Sequence, residues 1–357
     1  MSKKLGEVLR AQPGPILVTG HTGFKGTWLM LLLEELGISA TGIALPPEKD
    51  SLFIRAGLDQ THKGTYLDIR REFEVRKFIS ELKPSVIFHL AAQPLVLESY
   101  QDPHGTFETN VLGTLNILDS AYKLMSPISV QVITTDKVYK NENNSKAFVE
   151  TDSLKGKDPY SASKVACEAV VDGYMQMHVK NSNLLVGSVR AGNVIGGGDW
   201  SKDRLLPDLI RGFKNGEKVR IRNGSSTRPW QHVLDPLVGY VMAMEYQIEN
   251  QIQTSFNFGP KEAAFPVSKV SEISKITWGD SASVEIEESS GADLESEFLE
   301  LNSDLASNRL GWMPQINQSS AIETTVRWWK EYFRDESSAR ELVKKEISDY
   351  IEMVVES

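Results

Sequence analysis

The chain of 357 residues contains a single cysteine, Cys167, which excludes a framework of disulfide bonds within the chain and suits a reducing compartment. Long apolar runs are also lacking: the longest, residues 28–33, is far too short to cross a bilayer. Residues 1–13 carry charges and lack the apolar core of a secretory signal peptide. An excess of positive charge is also lacking: 48 Asp and Glu outnumber 39 Lys and Arg, and the net charge of -9 argues against a general nucleic-acid binder. These absences predict a cytoplasmic protein with neither a membrane nor a nucleic-acid partner.

A glycine-rich turn stands near the start of the chain, between the apolar run 16–19 and a helical pattern that stops at Gly37. Its glycines, spaced Gly-x-x-Gly-x-x-Gly, allow a tight turn and close approach of the backbone to a pyrophosphate at the helix N-terminus. A glycine turn without a ligand is the alternative, but the strand before it and the helix after it favour nucleotide binding. The predicted cofactor contacts in the turn are Gly20, Thr22, Gly23, Phe24, Lys25 and Gly26.

The following strands carry the remaining cofactor candidates. The second strand, 40–45, ends without the acidic residue that usually binds the adenine ribose and without an arginine for a 2′-phosphate, so NAD is only weakly favoured over NADP. Asp68, with Ile69 beside it, follows the third strand and can reach the adenine, cap the helix 71–82, or do both. The fourth strand ends in Leu90, Ala91 and Ala92, where small side chains let a nicotinamide ribose lie against the backbone.

Two polar residues stand in apolar surroundings. His89, inside the fourth strand, is expected to be a hydrogen-bonded core histidine. Asn110 lies in a predicted helix, 107–124, whose apolar residues surround it almost completely; such a helix is buried or forms a subunit interface, and Asn110 must then be hydrogen-bonded.

Tyr160 and Lys164 are four residues apart in a segment with helical spacing, so phenol and ammonium share one helix face. A nearby ammonium favours the phenolate, which predicts a lowered pKa for Tyr160 and a usable general base. Such pairs also arise by chance as ordinary exposed helix pairs. After the strand 130–134 come Thr135, Asp136 and Lys137, at a strand end where parallel sheets bind ligands. These three are equally compatible with an acid/base set and with a solvated turn that holds a local ion pair.

The glycine turn, His89-Leu90-Ala91-Ala92, Asn110, Thr134-Thr135 and the Tyr160/Lys164 pair together resemble the extended short-chain dehydrogenase/reductase superfamily, from about residue 14 to about residue 330. Longer strings resemble its nucleotide-sugar 4,6-dehydratases, and most closely their CDP-glucose branch: the turn 19–26, the segments 91–96, 190–200 and 228–233, and Asp136-Lys137. In the dTDP- and GDP-linked branches a glutamate usually stands at the position of Lys137.

The resemblance implies an α/β fold with a Rossmann-type, doubly wound parallel sheet and a smaller C-terminal α/β lobe. Residues 1–190 would bind NAD, and residues 191–357 would mainly bind the nucleotide sugar, with some chain crossing back. It also implies association through the helices after Asn110 and Tyr160, as a homodimer or a dimer of dimers.

The implied reaction is an internal redox cycle. Tyr160, assisted by Lys164 and Thr135, removes the proton of the 4-hydroxyl as hydride passes from carbon 4 to NAD. Lys137 then removes the carbon-5 proton while Asp136 protonates the leaving 6-hydroxyl, and hydride returns to carbon 6. The product is a 4-keto-6-deoxy sugar nucleotide, and no metal takes part.

The C-terminal half contains four arginines, at 204, 220, 222 and 228, that give it local positive charge in an acidic protein. A guanidinium binds a diphosphate well, although a strand with a solvated basic face is the alternative. The resemblance favours a nucleotide-sugar site made by Gln93, Asn193, Arg204, Arg220 and Arg228.

Three other functions fit parts of this pattern. A dTDP- or GDP-sugar dehydratase differs only in the nucleotide. A nucleotide-sugar 4-epimerase uses the same tyrosine and lysine but needs no elimination pair, so Asp136-Lys137 argues against it. A non-catalytic NAD-binding sensor or scaffold predicts a broken catalytic set, whereas Thr135, Tyr160 and Lys164 are all present.

Overall fold

The computed structural model describes residues 4–62, 64–142, 146–177, 183–287 and 299–356. Within these residues the strands are β1 Ile16–Thr19, β2 Ala40–Ala44, β3 Gly64–Tyr66, β4 Val86–His89, β5 Ile128–Ile133, β6 Leu184–Ala191, β7 Asn193–Ile195, β8 Lys218–Arg222, β9 Thr227–Arg228, β10 Trp230–His232, β11 Ser255–Phe258, β12 Phe265–Pro266 and β13 Ser283–Glu287.

Seven of these strands in the described chain form one sheet, in the order β11-β6-β5-β4-β1-β2-β3, with every neighbouring pair parallel. Strands β1, β4, β5 and β6 are buried along their whole length, as their apolar runs predict. The winding reverses at β1, whose last residue lies between Ile43 of β2 and His89 of β4. A crevice for ligands opens beyond the carboxyl ends of strands at such a reversal, so the doubly wound prediction is confirmed and the site is located.

Helices cover the sheet. The described helices are α1 Glu7–Arg10, α2 Phe24–Glu35, α3 Leu52–Arg55, α4 Leu58–Thr61, α5 Glu72–Leu82, α6 Val96–Gln101, α7 Pro103–Phe107, α8 Gly113–Tyr122, α9 Pro159–Met177, α10 Leu205–Asn215, α11 Leu234–Asn250, α12 Val267–Trp278, α13 Asp304–Leu310, α14 Gln318–Tyr332 and α15 Ala339–Glu356. Helix α2 begins inside the glycine turn, earlier than its apolar pattern suggests, and ends before Gly37, which takes a left-handed φ of 69°. Among the described residues, none of these helices combines the length and apolarity that crossing a membrane requires.

The predicted helix 107–124 is not continuous. Helix α7 ends at Phe107, a π-helical turn follows at Glu108–Leu112, and helix α8 begins at Gly113. The turn contains Asn110, whose side chain is committed to hydrogen bonds with two other segments. A π-helical turn inserts one extra residue into the helix, which re-aims such a side chain, and these turns are frequent at functional sites.

The C-terminal half contributes to the main sheet. The sequence predicts a core strand over 185–190, which β6 confirms, and a short strand that closes at 256–260. The latter is β11, which joins the main sheet in parallel with β6, Ser255 beside Ser188. Helix α11, which the sequence patterns do not predict, packs against β5 and β6; its buried residues surround it, so it shows no amphipathic stripe. The division into domains at residue 190 stays a prediction.

A smaller lobe lies beyond the sheet. Strands β8 and β13 pair in parallel there, and helices α10, α12 and α14 pack around a separate apolar cluster that includes Leu209, Phe213 and Ile322. The last helix, α15, packs against α2, and its residues Arg340 and Lys344 form ion pairs with Glu34 of α2. The lobe is therefore joined to the sheet through both strand β11 and helix α15.

Candidate active site

Tyr160 and Lys164 lie one turn apart near the start of helix α9, and both are buried. Pro159 opens the helix, and the Asp158 carboxylate accepts from the Ser161 backbone N–H at 2.9 Å, which caps the first turn. The prediction that they share a helix is confirmed, and their burial excludes an ordinary exposed pair.

The predicted effect of Lys164 on Tyr160 is wrong in this structure. Burial raises the pKa of Tyr160 above its usual value, and the largest opposing effect is a hydrogen bond with Thr135 rather than the ammonium. Lys164 Nζ instead donates to the carbonyl oxygen of Ile133, at 3.1 Å, at the end of strand β5. Burial lowers the pKa of Lys164 as well. Sharing a helix face therefore did not by itself couple the two groups.

The segment after β5 forms a short 3₁₀ turn, Asp136–Val138. The Thr135 hydroxyl accepts from the Lys137 N–H at 3.3 Å and donates to Asp136 Oδ1 at 3.0 Å. Asp136 is only 1 % exposed, and its Oδ2 has no hydrogen-bond partner in the part of the chain that the structure describes. Burial raises the pKa of Asp136, against the opposing charge of Lys137. These facts exclude a solvated turn and favour a carboxyl group that holds its proton.

The free oxygen of Asp136 lies against the segment that follows β6. A side-chain carbon on Gly192 would be 3.1 Å from Asp136 Oδ2 and 3.1 Å from the Pro229 ring, so glycine leaves that space open. Asn193 is next in the chain and pairs with Trp230 across β7 and β10. The predicted substrate residue Asn193 therefore stands beside the acid/base turn.

The glycine turn fits a pyrophosphate. Gly20 has a φ of 74°, and a Cβ on Gly26 would lie 2.1 Å from the Gly20 carbonyl oxygen, so both positions require glycine. Above Gly23 the nearest atom would be 3.4 Å from an added Cβ, which leaves open space. Among the described side chains, none caps the first turn of α2, so the N–H groups after Phe24 remain for an anion. Thr22 donates its hydroxyl to the Leu45 carbonyl at 3.1 Å and anchors the turn to the end of β2.

Lys25 extends from the glycine turn toward the acid/base groups. Its Nζ is 3.4 Å from the hydroxyl oxygen of Tyr240. Burial, then the positive charges of Arg204 and Lys164, lower the pKa of Lys25 to about 7, while Asp136 opposes the shift. Lys25 is thus part of the site's charge cluster as well as of the cofactor turn.

Asp68 does not cap helix α5. Its Oδ1 accepts from the Arg70 N–H at 3.0 Å, and its carboxylate pairs with the Arg70 guanidinium at 2.6 Å, a contact that lowers the pKa of Asp68. The side chain of Ile69 packs into the core beneath Gly113, and its carbonyl accepts from Asn116 at 2.9 Å. A cofactor contact by Asp68 stays a prediction, and one by Ile69 would have to come from its backbone N–H.

The end of β4 is held in place by buried hydrogen bonds. Ala91 N donates to Thr19 Oγ1 at 3.1 Å, and Leu90 N donates to the Thr19 carbonyl at 3.2 Å. Leu90, Ala91 and Ala92 stay half-buried, which keeps this strand end accessible. This strand end leaves room for a ribose against the backbone, and the cofactor contacts of Leu90, Ala91 and Ala92 stay a prediction.

Gln93 and Asn110 form a second polar connection. Gln93 N donates to Asn110 Oδ1 at 2.8 Å, and Asn110 Nδ2 donates to Ser163 Oγ at 2.8 Å on helix α9. The prediction that Asn110 is hydrogen-bonded is confirmed. The Gln93 side chain binds Thr106 Oγ1 and the backbone of Leu95, so its polar atoms face its own loop.

His89 is a satisfied core histidine, as predicted. Its Nδ1 is 2.7 Å from Thr19 Oγ1 and its Nε2 is 3.0 Å from Thr114 Oγ1. Because Thr114 donates to the Asn110 carbonyl, it accepts from Nε2–H, which assigns the neutral Nε2 tautomer. Burial lowers the pKa of His89 to about 3, so the ring carries no charge near neutral pH.

The lobe arginines divide into two groups. Arg204 precedes α10 and donates to Asp199 Oδ2 at 3.0 Å. Its charge adds to the burial that lowers the pKa of Lys25 and opposes the burial that raises the pKa of Tyr160, which locates this charge beside the site. Arg228 is buried, and its charge opposes the burial that raises the pKa of Asp136. Arg220 differs, because its exposed guanidinium pairs with Glu285 at 3.7 Å and with Glu287 on β13.

Sequence reasoning missed Glu168, Arg190 and Tyr139, which form a buried polar network directly behind the acid/base turn. One signal was available: Glu168 follows Lys164 by one helical turn, so the series 160, 164, 168 lies along one face of α9. A charged residue on a buried helix face requires a partner of opposite charge.

Comparison with known proteins agrees with this arrangement. The family described as "NAD dependent epimerase/dehydratase family" matches residues 16–259. A CDP-glucose 4,6-dehydratase of Salmonella typhimurium is 40% identical over 94% of this chain and 96% of its own length. A UDP-glucose 4-epimerase of Rhizobium meliloti is 26% identical over 89% of this chain and 97% of its own length.

The structure of a dTDP-glucose 4,6-dehydratase from Streptomyces venezuelae superposes with a TM-score of 0.77, covering 92% of this chain and 99% of that one at 21% identity, which shows a shared fold. The match to the family covers well over half of the chain, and the 40% identical relative covers nearly all of it. The chain therefore belongs to the NAD-dependent epimerase/dehydratase family of extended short-chain dehydrogenases/reductases, in the group of the nucleotide-sugar 4,6-dehydratases.

Proposed function

We propose that the protein is a hydro-lyase that converts CDP-glucose to CDP-4-keto-6-deoxyglucose with NAD as an internal redox cofactor. The observation that carries the proposal is the buried Asp136 carboxyl, whose raised pKa and unpartnered Oδ2 suit proton donation beside Tyr160. An epimerase needs no such acid. The 40% identical relative is itself a CDP-glucose 4,6-dehydratase, which supports the choice of nucleotide.

Two groups of residues, which we call stations, act in turn on one sugar. The first station, Tyr160 with Lys164 and Thr135, carries out the oxidation at carbon 4. Gly20, Gly23 and Gly26 would hold NAD along the glycine turn, where the cofactor would supply the hydride acceptor for carbon 4 and the hydride donor for carbon 6. Tyr160 takes the proton of the 4-hydroxyl, and the Thr135 hydroxyl orients the sugar. Because burial raises the pKa of Tyr160, phenolate formation would require Thr135 to donate its one hydroxyl proton to the phenol oxygen in place of Asp136; the positive charge of Arg204 also favours the phenolate.

The second station, Asp136 and Lys137, carries out the elimination of water. The ketone at carbon 4 acidifies the proton on carbon 5, which Lys137 removes. Asp136 gives its proton to the 6-hydroxyl as the bond from carbon 6 to oxygen breaks and water leaves. Lys137 then returns its proton to carbon 5 as carbon 6 receives the hydride. The proton that Tyr160 took from the 4-hydroxyl offsets the one that Asp136 gave to the leaving water. The net change is the loss of one water.

We assign the substrate diphosphate to Arg204 and Arg228, with Asn193 beside them. Both guanidinium groups act electrostatically on the acid/base residues, which supports their lying within reach of a bound sugar nucleotide. Arg220 already pairs with two glutamates on the lobe surface, so we assign it no direct contact. Gln93 would shape the sugar site through its loop rather than bind the sugar through its amide.

The test incubates the purified protein with CDP-glucose, dTDP-glucose, GDP-mannose and UDP-glucose, with and without added NAD, and follows product mass. Loss of water from CDP-glucose is the expected result. Loss of water from another sugar nucleotide would keep the reaction and change the nucleotide. An isomer of unchanged mass would indicate an epimerase, and no conversion of any substrate would contradict the proposal.

We also propose that the chain forms a homodimer in the cytoplasm. Phe107 at the end of α7, Leu112 in the π-helical turn and Leu115 on α8 are 39%, 50% and 38% exposed. They form an apolar face that a second copy would cover. Changing Leu112 and Leu115 to Asp should halve the mass measured by light scattering. An unchanged mass would contradict this interface.

The proposed cytoplasmic location has its own test, which is fractionation of the cells that produce the protein. Recovery of the native protein in the membrane or extracellular fraction of its cells would contradict the location.

A further inference from the structure

The acid/base turn is held at both ends by buried polar side chains. Before the turn, the Thr134 hydroxyl donates to Glu168 Oε1. After the turn, the Tyr139 hydroxyl accepts from Arg190 Nη1 at 2.8 Å and donates to Asn257 Oδ1 at 2.8 Å. Both attachments therefore flank the short segment that carries Asp136 and Lys137.

The two attachments are joined to each other. Arg190 Nε donates to Glu168 Oε1 at 2.9 Å, and its Nη2 donates to Glu168 Oε2 at 2.8 Å, a bidentate pair. The side chains of this pair are 5% and 0% exposed, so water cannot replace either partner. Thr134, Glu168, Arg190 and Tyr139 thus form a closed connection behind the turn, which we call the bracket.

The bracket is anchored on the helix of the first station. Glu168 lies on α9 one turn beyond Lys164, so the helix that carries Tyr160 and Lys164 also holds the turn that carries Asp136 and Lys137. The contacts of Glu168 and Arg190 therefore fix the position of the second station relative to the first.

The bracket is rigid because its members are satisfied and packed. Ser188 Oγ donates to Glu168 Oε2 at 2.8 Å, which completes the carboxylate's contacts. The Tyr139 ring stacks on Phe148, with centroids 4.9 Å apart and planes 2° from parallel. Burial raises the pKa of Tyr139 to about 12, so its hydroxyl keeps the proton that it donates to Asn257. A fully satisfied buried network of this kind fixes one geometry.

We propose that Glu168, Arg190 and Tyr139 are positioning residues for the elimination step, holding Asp136 and Lys137 at carbons 5 and 6 of a sugar whose carbon 4 faces Tyr160. The inference rests on the proposed dehydratase function. Loosening the far end of the turn should slow water loss and leave hydride transfer from carbon 4 nearly unchanged, because Tyr160 and Lys164 are held by α9 itself. The hydride-transferred state should then accumulate.

Tyr139→Phe is the sharpest variant, since it removes only the hydroxyl and keeps the ring stacked on Phe148. In single turnovers with CDP-glucose, we expect water loss and exchange of the carbon-5 hydrogen with deuterated water to slow roughly 10- to 100-fold, with NADH formation changed less than about twofold. Thr134→Val removes the attachment at the other end, between the Ile133 carbonyl that binds Lys164 and the Thr135 hydroxyl that assists Tyr160, so it should slow both steps.

Tyr350→Phe is the matched control. It also removes a buried tyrosine hydroxyl, which donates to Asp235 Oδ1 at 2.6 Å away from the turn, and it should slow neither step. If the wild type dehydrates CDP-glucose and Tyr139→Phe slows both steps alike, or neither, the inference is overturned and the proposed function stands. If the wild type dehydrates none of the sugar nucleotides, both are overturned.

Discussion

The hydroxyl of Thr135 donates to Oδ1 of Asp136 at 3.0 Å, and the second oxygen of that carboxyl is buried without a hydrogen-bond partner among the described residues. A carboxylate would leave a full charge there with little solvation, whereas a carboxylic acid can place its proton on the unpaired oxygen. This relationship gives the chain an acid that remains protonated at higher pH than an exposed aspartate, at the position where a leaving hydroxyl would need a proton.

Asp136→Asn should therefore separate the two chemical steps. The amide preserves size and the contact with Thr135 but supplies no proton, so dehydration should fall at least about 100-fold, while reduction of NAD by CDP-glucose continues. Product mass and NADH absorbance measure the two steps. In the wild type, the elimination rate should fall as pH rises through the raised pKa of Asp136, because only the protonated form donates. Undiminished dehydration by the variant would remove Asp136 from this role.

Two glycines of the cofactor turn should respond differently to alanine. At Gly26 a Cβ would lie 2.1 Å from the Gly20 carbonyl oxygen, so Gly26→Ala should destabilise the protein by about 1–3 kcal/mol or more. At Gly23 the nearest atom is 3.4 Å away, so Gly23→Ala should change the free energy of unfolding by less than about 1 kcal/mol. It should still weaken NAD binding, because the methyl group enters the space above the turn.

Denaturant unfolding and NAD titration of both glycine variants provide the test. Equal stability losses would contradict the geometry of the turn. Unchanged NAD affinity in Gly23→Ala would show that the pyrophosphate does not lie over that position.

Arg204→Ala and Arg220→Ala form a matched pair for the diphosphate. Arg204 lies beside the acid/base groups, so its loss should raise KM for CDP-glucose roughly 10- to 100-fold, the effect of losing a charge-assisted hydrogen bond. Arg220 is already paired with Glu285 and Glu287, so its loss should leave KM unchanged. Steady-state kinetics decide between them, and a larger rise for Arg220→Ala would reverse the assignment.

Asp235 should make stability depend on pH. Burial raises its pKa to about 6 from a usual 3.8, so the folded state holds the proton more tightly than the unfolded state. The stabilisation is complete below about pH 4 and is lost as pH rises toward 6, by roughly 3 kcal/mol in total. Asp235→Asn removes this titration, so the stability of the variant relative to wild type should increase between these pH values. A constant difference in unfolding free energy across that range would contradict the shift.

The sequence predicted well whatever depends on local pattern. Apolar runs identified six of the seven described sheet strands, and the glycine spacing identified the cofactor turn, because burial of a parallel strand and the approach of a backbone to phosphate are local requirements. His89 and Asn110 were also interpreted correctly, since a polar group in an apolar run must find a partner. Strand β11 was predicted as a short strand but not as part of the main sheet, because its own pattern does not show which strand it pairs with. Helix α11 was missed because buried residues surround it and leave no amphipathic stripe.

The spacing of residues in the sequence predicted poorly where the direction and burial of a side chain determine its contacts and its pKa. Four residues of separation placed Tyr160 and Lys164 on one helix, yet the ammonium contacts Ile133 and burial reverses the expected pKa shift of the phenol. Arg204 and Arg220 look equivalent in sequence, but only the folded lobe shows that one is beside the site and the other beside two glutamates.

The sequence by itself determined the cofactor turn, the parallel sheet and the residue types of both chemical stations, because each follows from the period and chemistry of a short segment. The tertiary structure alone decided that Asp136 is buried with an unpaired oxygen and that Glu168 and Arg190 join the two stations. Burial and pairing of this kind arise between segments far apart in the chain, and no local pattern contains them.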